Sequence, residues 1–306
     1  MSLLALLKGK GPTGFGYGST AEDVTAGNDL TGKTYLVTGC NSGLGLETLR
    51  VLALRGARVL GTARTVDKAN EALAAVGARG SLGLACELAD PASIRACIAA
   101  VIADGARLDA ILCNAGIMAL PRLETAHGVE LQFFTNHVGH FILVTGLLDR
   151  LTDTGRVVMT SSDAHRAAPS AGVDLDNLAG ERGYQPWRAY GRSKIANMLF
   201  ARSLAERFAG TQRTANAIHP GVIATNLGRH MPALMRMGLA IGKPLFLKTP
   251  AQGAATQVYV ATHPAAATTS GEYWADCNIA RARRDAYDPD LARRLWDATE
   301  AIVARV

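Results

Sequence analysis

The sequence predicts an α/β fold, a doubly wound parallel sheet of about seven strands with helices on both faces. Three observations predict it. Short apolar, β-branched runs alternate with segments of helical period along the whole chain. Those runs show no polar alternation, so both of their faces are buried, as in a parallel sheet. At Thr34–Arg55 (TYLVTGCNSGLGLETLRVLALR), strand, glycine turn and helix follow one another without a linker.

Residues 1–29 read as an N-terminal arm, rich in Gly, Ser and Thr from residue 8 onwards. It carries an apolar patch at Leu3–Leu7, suited to a weak surface contact, and a short helix at Thr20–Thr25. The strands expected next are Tyr35–Thr38, Arg58–Thr62, Leu82–Cys86, Ala110–Cys113, Arg156–Thr160, Thr214–Ile218 and Gly271–Ala275. The first helix is expected through Leu46, Leu49, Leu52 and Ala53, and the second over Val66–Val76. Asp90 caps a third, with Pro91 at its first position, running to Ala103. Helices over Leu131–Leu151, Trp187–Phe208, Pro250–Ala261 and Asp290–Val303 complete the pattern. No repeat, low-complexity tract or linker interrupts 30–306, so a single domain is expected there.

The chain has 306 residues, 48% of them hydrophobic and 19% charged, enough to bury a core without disulfides. The cysteines at 40, 86, 97, 113 and 277 form no Cys-x-x-Cys pair. That suits a reducing cytoplasm, and no metal site is expected. The net charge of +6 is spread along the chain. Its densest basic stretch, Arg281, Arg283 and Arg284, lies beside Asp276 and Asp285, so a solvated surface is expected rather than a nucleic-acid partner. No apolar run reaches the ~18 residues of a membrane span, and the N-terminus lacks a secretory pattern. A homo-oligomer stays open.

The glycine turn aims a helix N-terminus, with its free N–H groups and positive dipole end, at whatever lies above the strand. An anion is the natural guest, and a dinucleotide pyrophosphate suits this position in a Rossmann-like sheet. The spacing is T-G-x-x-x-G-x-G. Gly39 permits the tight turn, Gly43 lets the backbone approach phosphate, and Gly45 lets the helix pack close to the sheet. Asn41, Ser42 and Leu44 complete the turn. Ligands gather outside the carboxyl ends of such strands. The other candidate contacts are therefore Arg64, Glu87-Leu88, Asn114-Ala115-Gly116, Ser161-Ser162 and Pro220-Gly221-Val222. The second strand ends in Ala63-Arg64-Thr65, with no carboxylate to grip a ribose 2′-OH. Arg64 is either a solvent-facing arginine without a ligand or brings paired donors matched to a 2′-phosphate, with hydroxyls of Ser42 and Thr65 to help, and on the second reading NADP(H) is expected over NAD(H). Asp67 reads as a first-turn carboxylate of the next helix.

Tyr190 and Lys194 lie four apart on a long helix and share a face. A lysine ammonium there is expected to lower the phenol pKa towards neutrality and make it a usable acid–base group. By chance this spacing arises in roughly one such sequence in six, so the pair draws its meaning from its company. Ser162 ends the fifth strand, either as a turn serine or with its hydroxyl placed to hold a carbonyl oxygen beside the tyrosine. Asn136 is a polar residue on an otherwise apolar helix, placed either to anchor a relay water or as a buried structural amide. His137 and His140 are expected to pack rather than ligate.

Taken together, these stretches resemble the short-chain dehydrogenase/reductase family from about Leu30 to Val303. The resemblance is carried by TGCNSGLG at 38–45, CNAG at 113–116, TNH at 135–137, TSS at 160–162, YGRSK at 190–194 and HPG at 219–221, in the family's order. It implies a catalytic tetrad of Asn136, Ser162, Tyr190 and Lys194, with Thr225 holding the nicotinamide carboxamide. TNHVGHF, SGEYWADC and the arm GSTAEDVTAG are most similar to the branch of retinol dehydrogenases, WW-domain-containing oxidoreductases and a chloroplast envelope-associated dehydrogenase. Cys40, Cys113 and Glu87 depart from the usual family residues. The activity implied is NADP(H)-dependent hydride transfer between nicotinamide and a carbonyl or alcohol substrate. A dinucleotide-sensing regulator that keeps the fold is the alternative, and a methyltransferase on a similar sheet is a third reading. Neither has a use for the Tyr-Lys pair. Residues 222–249 include Met231, Leu234, Met235, Met237, Leu239, Ile241, Leu245 and Phe246. They are expected either to form a lid over a bulky apolar substrate or only to cap the core.

Overall fold

The computed structural model describes residues 8–223 and 247–306. In chain order the strands are β1 (Thr34–Thr38), β2 (Arg58–Ala63), β3 (Leu82–Ala85), β4 (Leu108–Cys113), β5 (Thr125–Ala126), β6 (Val129–Glu130), β7 (Leu151–Thr160), β8 (Thr214–His219), β9 (Tyr273–Ala275) and β10 (Asn278–Ile279). The helices are α1 (Ala21–Val24), α2 (Gly43–Leu54), α3 (Val66–Ala75), α4 (Pro91–Asp104), α5 (131–145), α6 (Pro186–Arg207), α7 (Pro250–Thr262) and α8 (Pro289–Val303).

Eight strands make one sheet in the order β10-β9-β8-β7-β4-β1-β2-β3, and β5 and β6 pair as a separate hairpin. Every pairing in the large sheet is parallel except that of β9 with β10. The chain turns outwards from β1 to β2 and β3, then returns to build the other half from β4. The strand order therefore reverses between β1 and β4, which opens a crevice at their carboxyl ends.

Alternation along each strand sends side chains to two separate cores. Leu36, Leu60, Ile111 and Val157 face a core built with Ile94 of α4, Phe141 of α5, Leu199 of α6 and Leu295 of α8. Val37, Val59, Leu112 and Val158 face the other, with Leu49 of α2, Leu73 of α3 and Val258 of α7. The caps follow the local sequence. Asp90 accepts from Ala92 N at 2.9 Å to start α4, and Thr65 caps α3, whose first turn carries Asp67.

The clearest difference from the sequence expectation is at the fifth helix and the strand after it. The helix expected over Leu131–Leu151 ends at Thr145; a 3₁₀ turn at Leu148–Arg150 follows, and β7 begins at Leu151. Leu147 and Leu151 are both fully buried, so the apolar spacing continues after the helix has stopped. Within α5 the segment Phe134–Val138 is wound as a π-turn. The arm, for its part, is built into the fold. Ala21 and Val24 enter the second core, Thr13 N and Asn278 Oδ1 are 3.1 Å apart, and Gln252 of α7 donates to the Gly18 carbonyl at 3.3 Å.

Candidate functional site at the carboxyl edge of the sheet

Thr38, the last residue of β1, joins the two halves of the sheet at the crevice. Its Oγ1 accepts from the backbone N–H groups of Asn114 and Ala115 at 2.9 and 3.0 Å. The Asn114 amide returns a bond to the Thr38 carbonyl at 2.9 Å. Gln257 of α7 reaches the same point. Its amide donates to Asn114 Oδ1 at 3.3 Å and to Thr48 of α2, and its Oε1 accepts from Thr160 Oγ1 at 3.4 Å. This buried amide thus ties the ends of β4 and β7 to α2.

The glycine turn is built for a close approach. Gly39 and Gly43 have φ of 68° and 54°, in the left-handed region. At Gly45 the constraint is space: a Cβ would fall on the Gly39 carbonyl and lie 2.7 Å from Asn114 Nδ2. Ser42 is the N-cap of α2 but makes no side-chain cap bond, so its hydroxyl and the first-turn N–H groups are available to an anion. Ser42, Asn41 and Arg64 are exposed, and Arg64 makes no hydrogen bond or ion pair among the described residues. An exposed guanidinium after β2, the neighbour of the strand that leads into this helix start, suits an anionic ligand. Glu87 shapes its own loop instead, accepting from Ala89 N at 3.3 Å. Leu88 is buried, and its carbonyl lies where a Cβ on Gly139 of α5 would sit.

The second cluster stands beside this cradle. Tyr190, Lys194 and Asn136 are all buried, and Ser162 is half-buried. Asn136 and Lys194 meet at Gly116: a Cβ there would lie 2.9 Å from Asn136 Oδ1 and 3.7 Å from Lys194 Nζ. Lys194 donates to the Thr160 carbonyl at 3.0 Å, and its Nζ sits 5.4 Å from the centroid of the Tyr190 ring. Burial pushes Lys194 down to about 7. The Tyr190 phenol moves opposite to the sequence expectation. Burial pushes it up to about 12, and a hydrogen bond with Ser162 works weakly against that. The lysine ammonium lies against the ring and the Thr160 carbonyl, while desolvation of the phenolate dominates.

The side-chain amide of Asn136 is fully engaged. It donates to Ile117 O and Ser193 Oγ at 3.0 Å each and accepts from Ile117 N at 2.9 Å. The segment after β4 is thereby pinned at Ile117, and Gln132 holds it again by accepting from Ala119 N at 2.6 Å. Half-buried Ile117, Met118 and Trp187 give this side an apolar wall, with the Trp187 ring edge-on to Tyr190 at 6.2 Å. His137 packs among Phe133, Phe141 and Phe200, as expected of a packing residue.

Beyond β8 the turn holds Pro220, Gly221 and Val222, and Gly221 takes φ 93° against the Lys248 side chain. Lys248 is buried and ion-paired to Asp276 at 2.7 Å. Thr225 and nearly all of the expected lid lie outside the described residues. Sequence reasoning missed Thr38, Gln257, Ser193 and Gly139. The one usable signal was Gly139, a glycine inside an otherwise apolar helical run.

Known proteins resemble this chain in sequence and in fold. The short chain dehydrogenase family pattern matches residues 33–233. The chain is 38% identical to the chloroplastic short-chain dehydrogenase TIC 32 A of Brassica napus, over 99% of each chain. It is 37% identical to human retinol dehydrogenase 14, over 90% of this chain and 87% of that one. Among solved structures, an uncharacterised protein from Mycobacterium paratuberculosis superposes with a TM-score of 0.74 at 33% identity, covering 92% of this chain and 97% of that chain. A short chain dehydrogenase from Burkholderia cenocepacia, solved in complex with NADP, shares the fold at a TM-score of 0.63 and 23% identity, covering 81% and 97%.

Proposed function

The chain belongs to the short-chain dehydrogenase family, whose members are oxidoreductases that bind a nicotinamide dinucleotide, and we propose that it is an NADP(H)-dependent reductase or dehydrogenase of apolar carbonyl or alcohol compounds. The observation that carries the reading is the burial of Asn136 and Lys194 at Gly116, beside the glycine cradle, with the buried Tyr190 ring against Lys194.

The cofactor, when bound, supplies or accepts the hydride. The protein's own groups do the rest. The N-terminus of α2 and Ser42 receive the pyrophosphate, and Arg64 binds the 2′-phosphate. Ser162 donates to the substrate oxygen. Tyr190, held as a neutral phenol, gives its proton to that oxygen in reduction and recovers it in oxidation. Lys194, poised near neutrality, replaces the proton the phenol gives up in reduction, and in oxidation takes the phenol proton so that the phenolate can accept the one from the alcohol. Asn136 fixes Ile117 and so the apolar wall against which the substrate lies. That wall of Ile117, Met118 and Trp187 supports a bulky apolar substrate over a small hydrophilic one. All five cysteines are free and buried, which supports a reducing compartment, the cytoplasm.

The test is turnover of aldehydes, ketones and alcohols with NADPH and NADP⁺, in the wild type and in Tyr190→Phe. The variant is expected to lose about 10²-fold or more in kcat while still binding cofactor. Full activity in Tyr190→Phe removes the tyrosine from the mechanism. Tight cofactor binding with no turnover of any compound favours the dinucleotide-sensing reading.

A further inference from the structure

We propose that His140 is a positioning residue for this site, holding the backbone carbonyl of Asn136 with its Nδ1–H and tying it through Thr38 to the cofactor cradle. The inference rests on the reductase reading for its kinetic consequence but not for its geometry.

The proton positions follow from counting donors. Thr38 Oγ1 already accepts from Asn114 N and Ala115 N. Its own hydrogen has two acceptors in reach, His140 Nε2 at 3.0 Å and the Leu112 carbonyl at 3.4 Å. The shorter bond goes to the histidine, so Nε2 is the acceptor and carries no proton. The other nitrogen, Nδ1, lies 3.0 Å from the Asn136 carbonyl, which can only accept. Nδ1 therefore holds the hydrogen and donates it. The ring must be neutral for this, and His140 is fully buried and held well below its ordinary value by desolvation, with Lys194 adding to the shift.

This bond matters because of where it sits. Asn136 lies in the π-turn, where backbone N–H groups pair five residues back, as Gly139 N does with the Phe134 carbonyl. Such a turn widens the helix and re-aims the residue inside it. The result is a continuous chain, from the Asn114 and Ala115 N–H groups through Thr38 and His140 to Asn136, whose side chain then reaches Ser193 and Ile117. A histidine spans that chain because its two ring nitrogens lie on opposite sides and differ in role.

The first test reads the tautomer, without turnover. In ¹⁵N-histidine-labelled protein at neutral pH, His140 is expected to show protonated Nδ1 and bare Nε2, the less common form of imidazole in water. Thr38→Val assigns the signal, since it removes the hydroxyl and shifts the Nε2 resonance. Protonation at Nε2 overturns the inference. The second test is kinetic. An asparagine amide sits where Nδ1 sits, and a glutamine amide reaches towards Nε2. His140→Asn is expected to keep kcat within about threefold of wild type, and His140→Gln to lose about tenfold or more, with similar melting temperatures and cofactor Kd. Equal kcat in the two variants, per folded enzyme, overturns the positioning role. An active Tyr190→Phe would instead overturn the reductase reading and leave the tautomer result standing.

Discussion

Gly45→Ala should separate cofactor binding from folding. The helical φ of Gly45 is ordinary, so the added methyl costs nothing in backbone strain. In fact alanine favours a helix interior by about 1 kcal/mol over glycine. The cost is contact. The new Cβ would lie on the Gly39 carbonyl, 2.7 Å from Asn114 Nδ2 and 2.8 Å from Gly39 C, where ordinary contact begins at 3.4 Å. Both neighbours are held, one by backbone geometry and the other by its bond to Thr38. The turn and α2 must therefore part by more than the roughly 0.7 Å that Asn114 Nδ2 alone demands, since the Gly39 carbonyl oxygen is nearer still, an overpacking cost of about 1–3 kcal/mol. Offset by propensity, the net loss of stability is about 2 kcal/mol or less. Binding should suffer more, because the displaced atoms are those that face the pyrophosphate. An increase of about tenfold or more in the Kd for NADPH is expected, about 1.4 kcal/mol. Gly77→Ala is the control: its φ is 66° but nothing lies within 4 Å of the added methyl, so it should cost about 1–2 kcal/mol of strain and leave binding alone. The assays are thermal melting and titration of NADPH fluorescence. Wild-type affinity in Gly45→Ala, or equal loss of affinity in both variants, would refute the close-approach argument.

Other outcomes follow from the same geometry. Arg64→Asp should reverse the cofactor preference, because the carboxylate accepts from a ribose hydroxyl and repels a 2′-phosphate; equal kcat/KM for the two cofactors in wild type would remove the basis for this. Lys194→Ala should lower both kcat and cofactor affinity, because the family resemblance implies a bond from the lysine to the cofactor ribose besides its proton role; a variant that loses only one of them would split the two. Acid should destabilise the fold through buried histidines. Desolvation pushes His137 down to about 3 and both His140 and His219 down to about 4. The unfolded chain takes up those protons near pH 6.5 and the folded chain does not until about pH 4. Stability is therefore intact at pH 7 and lost as pH falls from about 6.5 towards 4, with each histidine contributing at most about 1.4 kcal/mol per pH unit. A melting temperature unchanged between pH 7 and 5 would contradict this.

Most of the fold was legible in the chain because parallel strands declare themselves by unbroken apolar runs and glycine turns by their spacing. The boundaries of β1, β2, α3 and α4 fall within a residue or so of expectation, since local caps such as Asp90 and Thr65 set them. The end of α5 was not legible. Leu147 and Leu151 keep the helical spacing, but the first is buried beyond the helix and the second pairs with Leu108 at the start of β7. Burial period records which way a side chain faces, not which hydrogen bonds its backbone makes.

For the proposed site, the sequence by itself determined the inventory of candidate groups: the glycine turn, Asn136, Ser162, the Tyr190-Lys194 pair and Arg64 at the end of the second strand. Spacing within one helix was enough to place Tyr190 and Lys194 on one face. The tertiary structure decided how those groups are held. Tyr190 is a more reluctant acid than the pair alone implies, because desolvation depends on every element packed around it. The Asn136 amide is tied to Ile117 and Ser193, and its carbonyl to His140, by contacts that cross from β4 to α5 to α6. Thr38 and His140 are 102 residues apart and meet only when β1 lies beside β4 with α5 packed above them. Local sequence carries the type and spacing of groups, and the partners that set their protons come from residues far along the chain, brought together by burial of the two cores.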